Sequence, residues 1–138
     1  MAGLWHQGVV WRVAIYAREA RDCAGRRRLD RQVAGIVRQV ARRPGWQLVA
    51  TYGDQDSGPA GTRAGLCRLL GEAPGRYDLV VVDRYDRLSA NRQELGGLLA
   101  HLQASGVQVV VLSASARRRF ARLVANVALA DLIGEADR

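Results

Sequence analysis

The sequence predicts an α/β fold in which an open, mostly parallel sheet has helices on both of its faces. Four short runs rich in β-branched and aromatic residues alternate with segments whose apolar residues recur at helical spacing. The first run, residues 9–17, has almost no polar interruption, which is typical of a strand buried on both faces. A length of 138 residues with 49% hydrophobic content is sufficient for one domain with its own core.

The first half of the chain contains two predicted strands around one helix. Residues 9–17 form the first apolar run, and residues 29–40 then carry apolar side chains at helical spacing until Pro44-Gly45 ends the helix. Residues 46–52 predict a second strand. Residues 53–62 contain so much Gly, Asp and Pro that we expect a loop, which at this point is a candidate functional surface.

The second half repeats the alternation of helix and strand. Apolar spacing predicts a helix from residue 66 to near residue 74, strands over residues 78–83 and 107–112, and a last helix from residue 117 toward residue 135. Asn91 lies three residues before Glu94, an arrangement like a capping box. It predicts a further helix that continues to Gly106.

The charge is unusual because all 21 positive side chains are arginines, and 13 acidic residues leave a net charge of +8. We therefore expect an anionic partner, since a guanidinium presents a fork of donors that matches phosphate oxygens in pairs. A GC-rich coding sequence explains the absence of lysine equally well.

The rest of the composition excludes several classes of protein. Cys23 and Cys67 have no CxxC pair or histidine cluster near them, which argues against a zinc site or a disulfide framework. We expect a reducing cytoplasm, and Cys67 as a small packed side chain. The sequence contains neither a run of 18 apolar residues nor a signal-peptide pattern, so we expect no membrane segment.

Arginines follow three of the predicted strands. Arg18 comes after the first strand, Arg63 after the loop that follows the second, and Asp86-Arg87 after the third. Because ligands of open α/β sheets bind at the carboxyl ends of the strands, these residues predict a site for a phosphodiester, whose charge arginines can stabilise without a metal. The alternative is that these arginines are solvated or cap helices.

Five short motifs in one order carry a resemblance to a known family. They are Tyr16-Ala17-Arg18, Leu29-Asp30-Arg31-Gln32, the Asp54 to Gly58 segment, Arg63-Ala64-Gly65-Leu66 and Asp86-Arg87-Leu88-Ser89. Each motif alone is weak. Together, over residues 12–135, they resemble the catalytic domain of the serine site-specific DNA recombinases, the resolvase/invertase family.

The resemblance implies a parallel core of four strands, often with a fifth at the edge, and a long C-terminal helix used for dimerisation. It also implies strand exchange without metal or cofactor, in which a serine hydroxyl attacks a DNA phosphate. Residue by residue, Arg18, Arg63 and Arg87 correspond to arginines that embrace the scissile phosphate, and Asp86 to the acid beside them. Asp78 falls on another acidic position of the pattern.

Three departures from the family pattern affect the chemistry. The family has Tyr-x-Arg-Val-Ser where this chain has Glu19-Ala20 after Arg18, so the nucleophile position holds an alanine. Ala90 and Ala136 stand where the family commonly has phosphate-binding arginines. Since a methyl group cannot attack phosphorus, the sequence predicts loss of strand cleavage.

Other residues are candidates for DNA contact or for a substitute reaction. Seven arginines are predicted to touch the DNA backbone: Arg26, Arg27, Arg28, Arg92, Arg117, Arg118 and Arg119. A solvated face explains the runs 26–28 and 117–119 equally well. Cys23 lies three residues after Ala20 and is an alternative nucleophile, whereas Ser57 is expected to form a turn.

These observations predict one resolvase-like domain over residues 1–138, with residues 1–8 as an N-terminal extension and no room for a separate DNA-binding domain after the last helix. We expect a cytoplasmic protein that no longer cleaves DNA but associates with it, as a homodimer or with an active recombinase, in an accessory or regulatory role. A decaying mobile-element remnant, an active recombinase or phosphodiesterase with another nucleophile, and a small-anion or nucleotide-binding module are the alternatives.

Overall fold

The computed structural model describes residues 9–56 and 58–113, which form a four-stranded parallel sheet with three α-helices. The strand order is β2-β1-β3-β4. The strands are β1 (Trp11–Glu19), β2 (Trp46–Gln55), β3 (Leu79–Val82) and β4 (Gln108–Val111), and the helices are α1 (Gly25–Ala41), α2 (Ala64–Glu72) and α3 (Arg92–Ala104). The predicted fold class is confirmed.

Helix ends and turns follow local chemistry where the sequence provides it. Asn91 caps α3 because its side-chain oxygen accepts a hydrogen bond from the backbone N–H of Glu94 at 3.0 Å, as the capping-box spacing predicts. Gly45 and Gly106 have φ values of 80°, a left-handed conformation that favours glycine, and each ends the turn between a helix and the next strand.

Each face of the sheet packs against its own helices, so the core has two layers. One face presents Ala14 and Val80 to leucines of α2 and α3, and the opposite face presents Ile15 and Val81 to Ile36 of α1. All four strand residues are fully buried. The alternation of neighbouring residues between faces explains why the central strands read as continuous apolar runs.

The pairing of β1 with β2 contains a bulge. Val13 pairs with Leu48, but the next residue, Ala14, pairs with Ala50, so that Val49 is the extra residue. Beyond the bulge, Tyr16 pairs with Tyr52. The bulge therefore changes which residues of β2 face α2.

Two expectations about element ends were wrong. β1 begins at Trp11 and continues to Glu19, and β2 continues through residues 53–55, which we expected to belong to a loop. Parallel pairing of Arg18 with Asp54 supplies the backbone partners that favour strand over loop there. The loop thus begins only after Gln55.

The predicted last helix, Arg117 to Arg119, Ala136 and the expected turn at Ser57 lie outside the described residues. Within the described ranges, no helix is both long and apolar enough to cross a membrane.

Candidate functional site

The three predicted site arginines meet at the carboxyl edge of the sheet. Arg18 is the penultimate residue of β1, Arg63 immediately precedes α2, and Arg87 ends a short 3-10 turn after β3. Backbone carbonyls join them: Arg18 donates to the carbonyl of Asp86 at 2.6 Å, and Arg87 donates to the carbonyl of Arg18 at 3.1 Å. The structure therefore brings together the residues that the sequence placed at this edge.

Arg63 lies behind this edge, with only 1% of its surface exposed. Its Nη1 donates to the Tyr16 hydroxyl at 3.2 Å and to the carbonyl of Arg87 at 3.1 Å, while Nη2 donates to the carbonyl of Leu88 and lies 3.5 Å from a Glu94 carboxylate oxygen. Its Nε has no partner among the described residues. In this arrangement Arg63 ties β1, the 3-10 turn and α3 together, and its predicted contact with phosphate stays a prediction.

Asp54 holds the start of α2 against β1. Its carboxylate accepts hydrogen bonds from the Tyr16 hydroxyl at 2.7 Å and from the backbone N–H groups of Gly65 and Leu66 at 2.8 and 2.9 Å. Burial and the nearby Asp54 carboxylate raise the pKa of Tyr16 well above its usual value. A Cβ at Gly65 would lie 2.4 Å from the carbonyl oxygen of Gly53, so this close approach requires glycine.

Arg18 is the site arginine that makes no ion pair within the described part of the chain. It is half-buried. Burial lowers the pKa of its guanidinium, and repulsion from Arg63 lowers it further. Its charge is therefore less well compensated than that of its neighbours.

Arg87 is bound by two carboxylates. Its Nε donates to Asp83 Oδ1 at 3.0 Å, and its Nη1 lies 3.6 Å from Glu19 Oε1. Although burial opposes the charge, the hydrogen bond that Arg87 donates to Asp83 and the neighbouring carboxylates outweigh it and raise the pKa of Arg87. A phosphate that binds Arg87 must therefore compete with internal carboxylates.

Glu19 is a site residue that sequence reasoning did not identify. Its Oε2 accepts a hydrogen bond from Arg28 Nε at 3.1 Å, and its Oε1 accepts one from Gln32 at 3.2 Å in addition to its contact with Arg87. The available signal was its position: it stands where the family pattern has Val, directly before the alanine at the nucleophile position. The Glu19 carboxylate thus lies between Arg28 and Arg87 and contacts both guanidinium groups.

The structure also describes the surroundings of Asp86 and of Ala20, the residue at the nucleophile position of the family pattern. Asp86 pairs with Arg84, and its other carboxylate oxygen, Oδ1, is buried without a hydrogen-bond partner among the described residues. Ala20 is exposed just beyond the end of β1. A Cβ at Gly25 would lie 2.1 Å from the Ala20 carbonyl oxygen, so only glycine allows α1 to begin this close to Ala20.

The predicted DNA-contacting arginines differ in their surroundings. Arg26 pairs with Asp30 at 3.3 Å, and Arg28 pairs with Glu19 and Asp22. Arg27 and Arg92 are exposed, without an ion pair among the described residues. Ala90, at a position where the family pattern commonly has an arginine, is also exposed.

The other residues that the sequence singled out are Asp78, Cys67 and Cys23. Asp78 lies at the opposite edge of the sheet, where it accepts hydrogen bonds from the backbone and side chain of Arg12. Cys67 is exposed, so our expectation of a packed side chain was wrong: it lies on the outer face of α2, away from the buried Leu66 and Leu69. Cys23 is exposed as well, and both thiols are free.

No cluster of three or more His, Cys, Asp or Glu side chains that could hold a metal ion occurs in residues 9–56 and 58–113.

The described residues have the fold of the catalytic domains of serine recombinases. The family model of the resolvase N-terminal domain matches residues 13–132, and the chain therefore belongs to the resolvase family. No curated protein matches this chain.

Solved structures agree with this assignment. The C-terminal catalytic domain of ISC1926 TnpA, an IS607-like serine recombinase, is 26% identical with a TM-score of 0.67, over 74% of this chain and 69% of that chain. The same domain of IS1535 TnpA, also IS607-like, is 32% identical with a TM-score of 0.56, over 73% and 70%. The N-terminal catalytic domain of TP901-1 integrase is 23% identical with a TM-score of 0.66, over 88% of this chain and 98% of that chain. At this identity it supports the fold alone.

Proposed function

We propose that this chain is a resolvase-family protein that associates with DNA without cleaving it, as an accessory or regulatory subunit. The observation that carries the proposal is Ala20. This residue occupies the nucleophile position of the family pattern, exposed beyond β1 and two residues after Arg18. A methyl group offers no lone pair for attack on phosphorus, and loss of a nucleophile removes several orders of magnitude of rate.

The charge balance at the carboxyl edge supports the same proposal. Arg87 has Asp83 and Glu19 as partners, and Arg28 has Glu19 and Asp22. Such pairs are satisfied without any ligand, so a scissile phosphate gains less from this site than from unpaired arginines. Arg18 alone among the family's site arginines lacks an ion-pair partner in the described residues, and it retains a weak anion site.

DNA association is the part of the family activity that survives these losses. The net charge of +8 favours a polyanion, and two of the similar solved structures, at 26% and 32% identity, are described as catalytic domains of serine recombinases. We propose a cytoplasmic protein of one resolvase-like domain over residues 1–138, which acts as a homodimer or joins an active recombinase through the last predicted helix.

The proposal is tested by incubating the purified protein with supercoiled plasmids that carry candidate recombination sites and searching for protein-linked DNA ends after denaturation. We expect none. A covalent adduct in the unaltered protein would overturn the proposal, and loss of that adduct in Cys23→Ala would assign the thiol as nucleophile.

A restoring variant provides the positive control. Ala20→Ser combined with Ala90→Arg returns the serine and the arginine of the family pattern at two exposed positions. Adding Glu19→Val removes the competing carboxylate. If cleavage appears only when all three changes are present, both the missing nucleophile and the occupied site account for the loss of activity.

A further inference from the structure

The positive charge of the described residues is concentrated in one segment. Residues 25–43, which contain α1 and the turn after it, hold seven arginines and a single acid, Asp30. The other described residues contain nine arginines and nine acidic residues, so they balance. The net charge of this part of the molecule therefore belongs to α1 and not to the carboxyl edge.

Four of these arginines form a line along α1. Arg27, Arg31, Arg38 and Arg42 follow one another at spacings of four, seven and four residues, and Arg42 still has helical backbone angles at the C-cap. At 3.6 residues per turn and 1.5 Å per residue, they fall within an arc of about 60° and span about 22 Å. All four are exposed. We call this surface the α1 arginine stripe.

The α1 arginine stripe lacks ion pairs in the described part of the chain, in contrast to Arg26 and Arg28 on the same helix. Like charges at i and i+4 destabilise a helix, and the stripe contains two such pairs. An external anion would remove this repulsion.

The surface between the charges is open to a close partner. Ala34 and Gly35 lie between Arg31 and Arg38; Ala34 carries only a methyl group and Gly35 has no side chain. The opposite face of α1, which includes Ile36, is packed on the sheet. A helix whose apolar face is already buried has nothing to insert into a lipid surface, and the large exposed hydrophobic residues of the described part, Val9, Val10 and Leu48, lie elsewhere.

We propose that the α1 arginine stripe binds the phosphate backbone of a nucleic-acid duplex, separately from the carboxyl edge. Four guanidinium groups over about 22 Å match a regular polyanion better than one small anion. The inference rests on the DNA-association half of the proposed function and is independent of whether the chain cleaves DNA.

The test compares two triple variants of the full chain. Arg31, Arg38 and Arg42 are changed to Gln in one, and the exposed arginines Arg21, Arg68 and Arg76 in the other, so that both lose the same charge. Affinity for a short duplex of mixed sequence is measured by fluorescence anisotropy over a range of salt concentrations. Circular dichroism and thermal melting verify that both variants are folded.

The expected result is a difference in salt dependence. Four phosphate contacts give a slope near −3.6 in a plot of log affinity against log salt, which is about a 150-fold loss between 50 and 200 mM, whereas the one remaining contact in the stripe variant gives about a fourfold loss. The control variant should keep the steep dependence. Equal weakening of both variants would refute the proposal, because net charge alone would then explain binding.

Two further outcomes are decisive. Tighter binding of the unaltered protein to vesicles rich in anionic lipid than to the duplex, lost in the stripe variant, would assign the surface to membranes and overturn the nucleic-acid proposal. If instead the stripe variant loses DNA binding while the unaltered protein forms covalent DNA adducts, the stripe stands and the proposed absence of cleavage fails.

Discussion

Replacement of Asp54 by alanine should destabilise the domain more than any surface substitution. The Asp54 carboxylate accepts three hydrogen bonds of 2.7 to 2.9 Å, from Tyr16, Gly65 and Leu66, while only 9% exposed. Loss of a helix cap costs about 1 kcal/mol. The buried Tyr16 hydroxyl and the second backbone N–H, left without their acceptor, add about 2 kcal/mol.

The expected total of about 3 kcal/mol is a large fraction of the stability of an ordinary domain. It corresponds to a melting temperature lower by about 10 °C for a chain of this size. Urea denaturation followed by circular dichroism measures the free energy of unfolding directly. Asp54→Asn, which keeps one acceptor oxygen, should lose about half as much.

Asp30→Ala is the matched control, since Asp30 forms an exposed pair with Arg26 on α1 and should contribute about 0.5 kcal/mol or less. A double-mutant cycle with Tyr16→Phe isolates the hydroxyl–carboxylate bond, for which we expect a coupling of about 1 kcal/mol. If Asp54→Ala is no less stable than Asp30→Ala, the buried network does not fix α2 and the reasoning is refuted.

Three other predictions concern charge and pH. Glu19→Gln should raise the affinity for inorganic phosphate about tenfold in calorimetry, because Arg87 loses a competing carboxylate; unchanged affinity would contradict this. Since burial and Asp54 raise the pKa of Tyr16, the folded protein keeps a proton that the unfolded chain loses above pH 10.0, so stability falls as the pH rises. In urea titrations, the stability of Tyr16→Phe should fall less steeply with pH than that of the unaltered protein. Hydrogen bonds from Arg12 lower the pKa of Asp78 below 3.8, so the stability that this pair contributes is complete above that pH and is lost as the pH falls. Asp78→Asn should therefore be less stable at neutral pH, and its stability should depend less on acid pH. An acid dependence of stability equal to that of the unaltered protein would contradict this prediction.

The sequence was sufficient for features that depend on local pattern. Apolar runs predicted the strands, and Asn91 with Glu94 predicted the cap of α3, because both signals are contained within a few neighbouring residues. The convergence of Arg18, Arg63 and Arg87 followed from a general property of parallel sheets. These predictions needed no knowledge of side-chain packing.

Features that depend on distant partners could not be predicted. Residues 53–55 are rich in loop-forming types, yet pairing with β1 makes them strand. Arg63 looks like a surface arginine in the sequence, but acceptors contributed by Tyr16, Leu88 and Glu94 bury it. The ion pairs of Glu19 could not be predicted for the same reason, since Arg28 lies on α1 and Arg87 lies in the turn after β3.

The extra residue at Val49 limits how the length of this chain can vary. Before the bulge, Trp46 packs on the same face as Ile36; after it, Tyr52 and Asp54 face α2, although all three β2 residues have even numbers. Deleting Val49 would therefore restore continuous pairing and keep Asp54 on the face of α2, whereas inserting one residue between Val49 and Asp54 would turn Asp54 toward α1 and leave the start of α2 without its acceptor. We expect insertions to be tolerated after Gln55, where strand pairing has ended, but not between Val49 and Asp54.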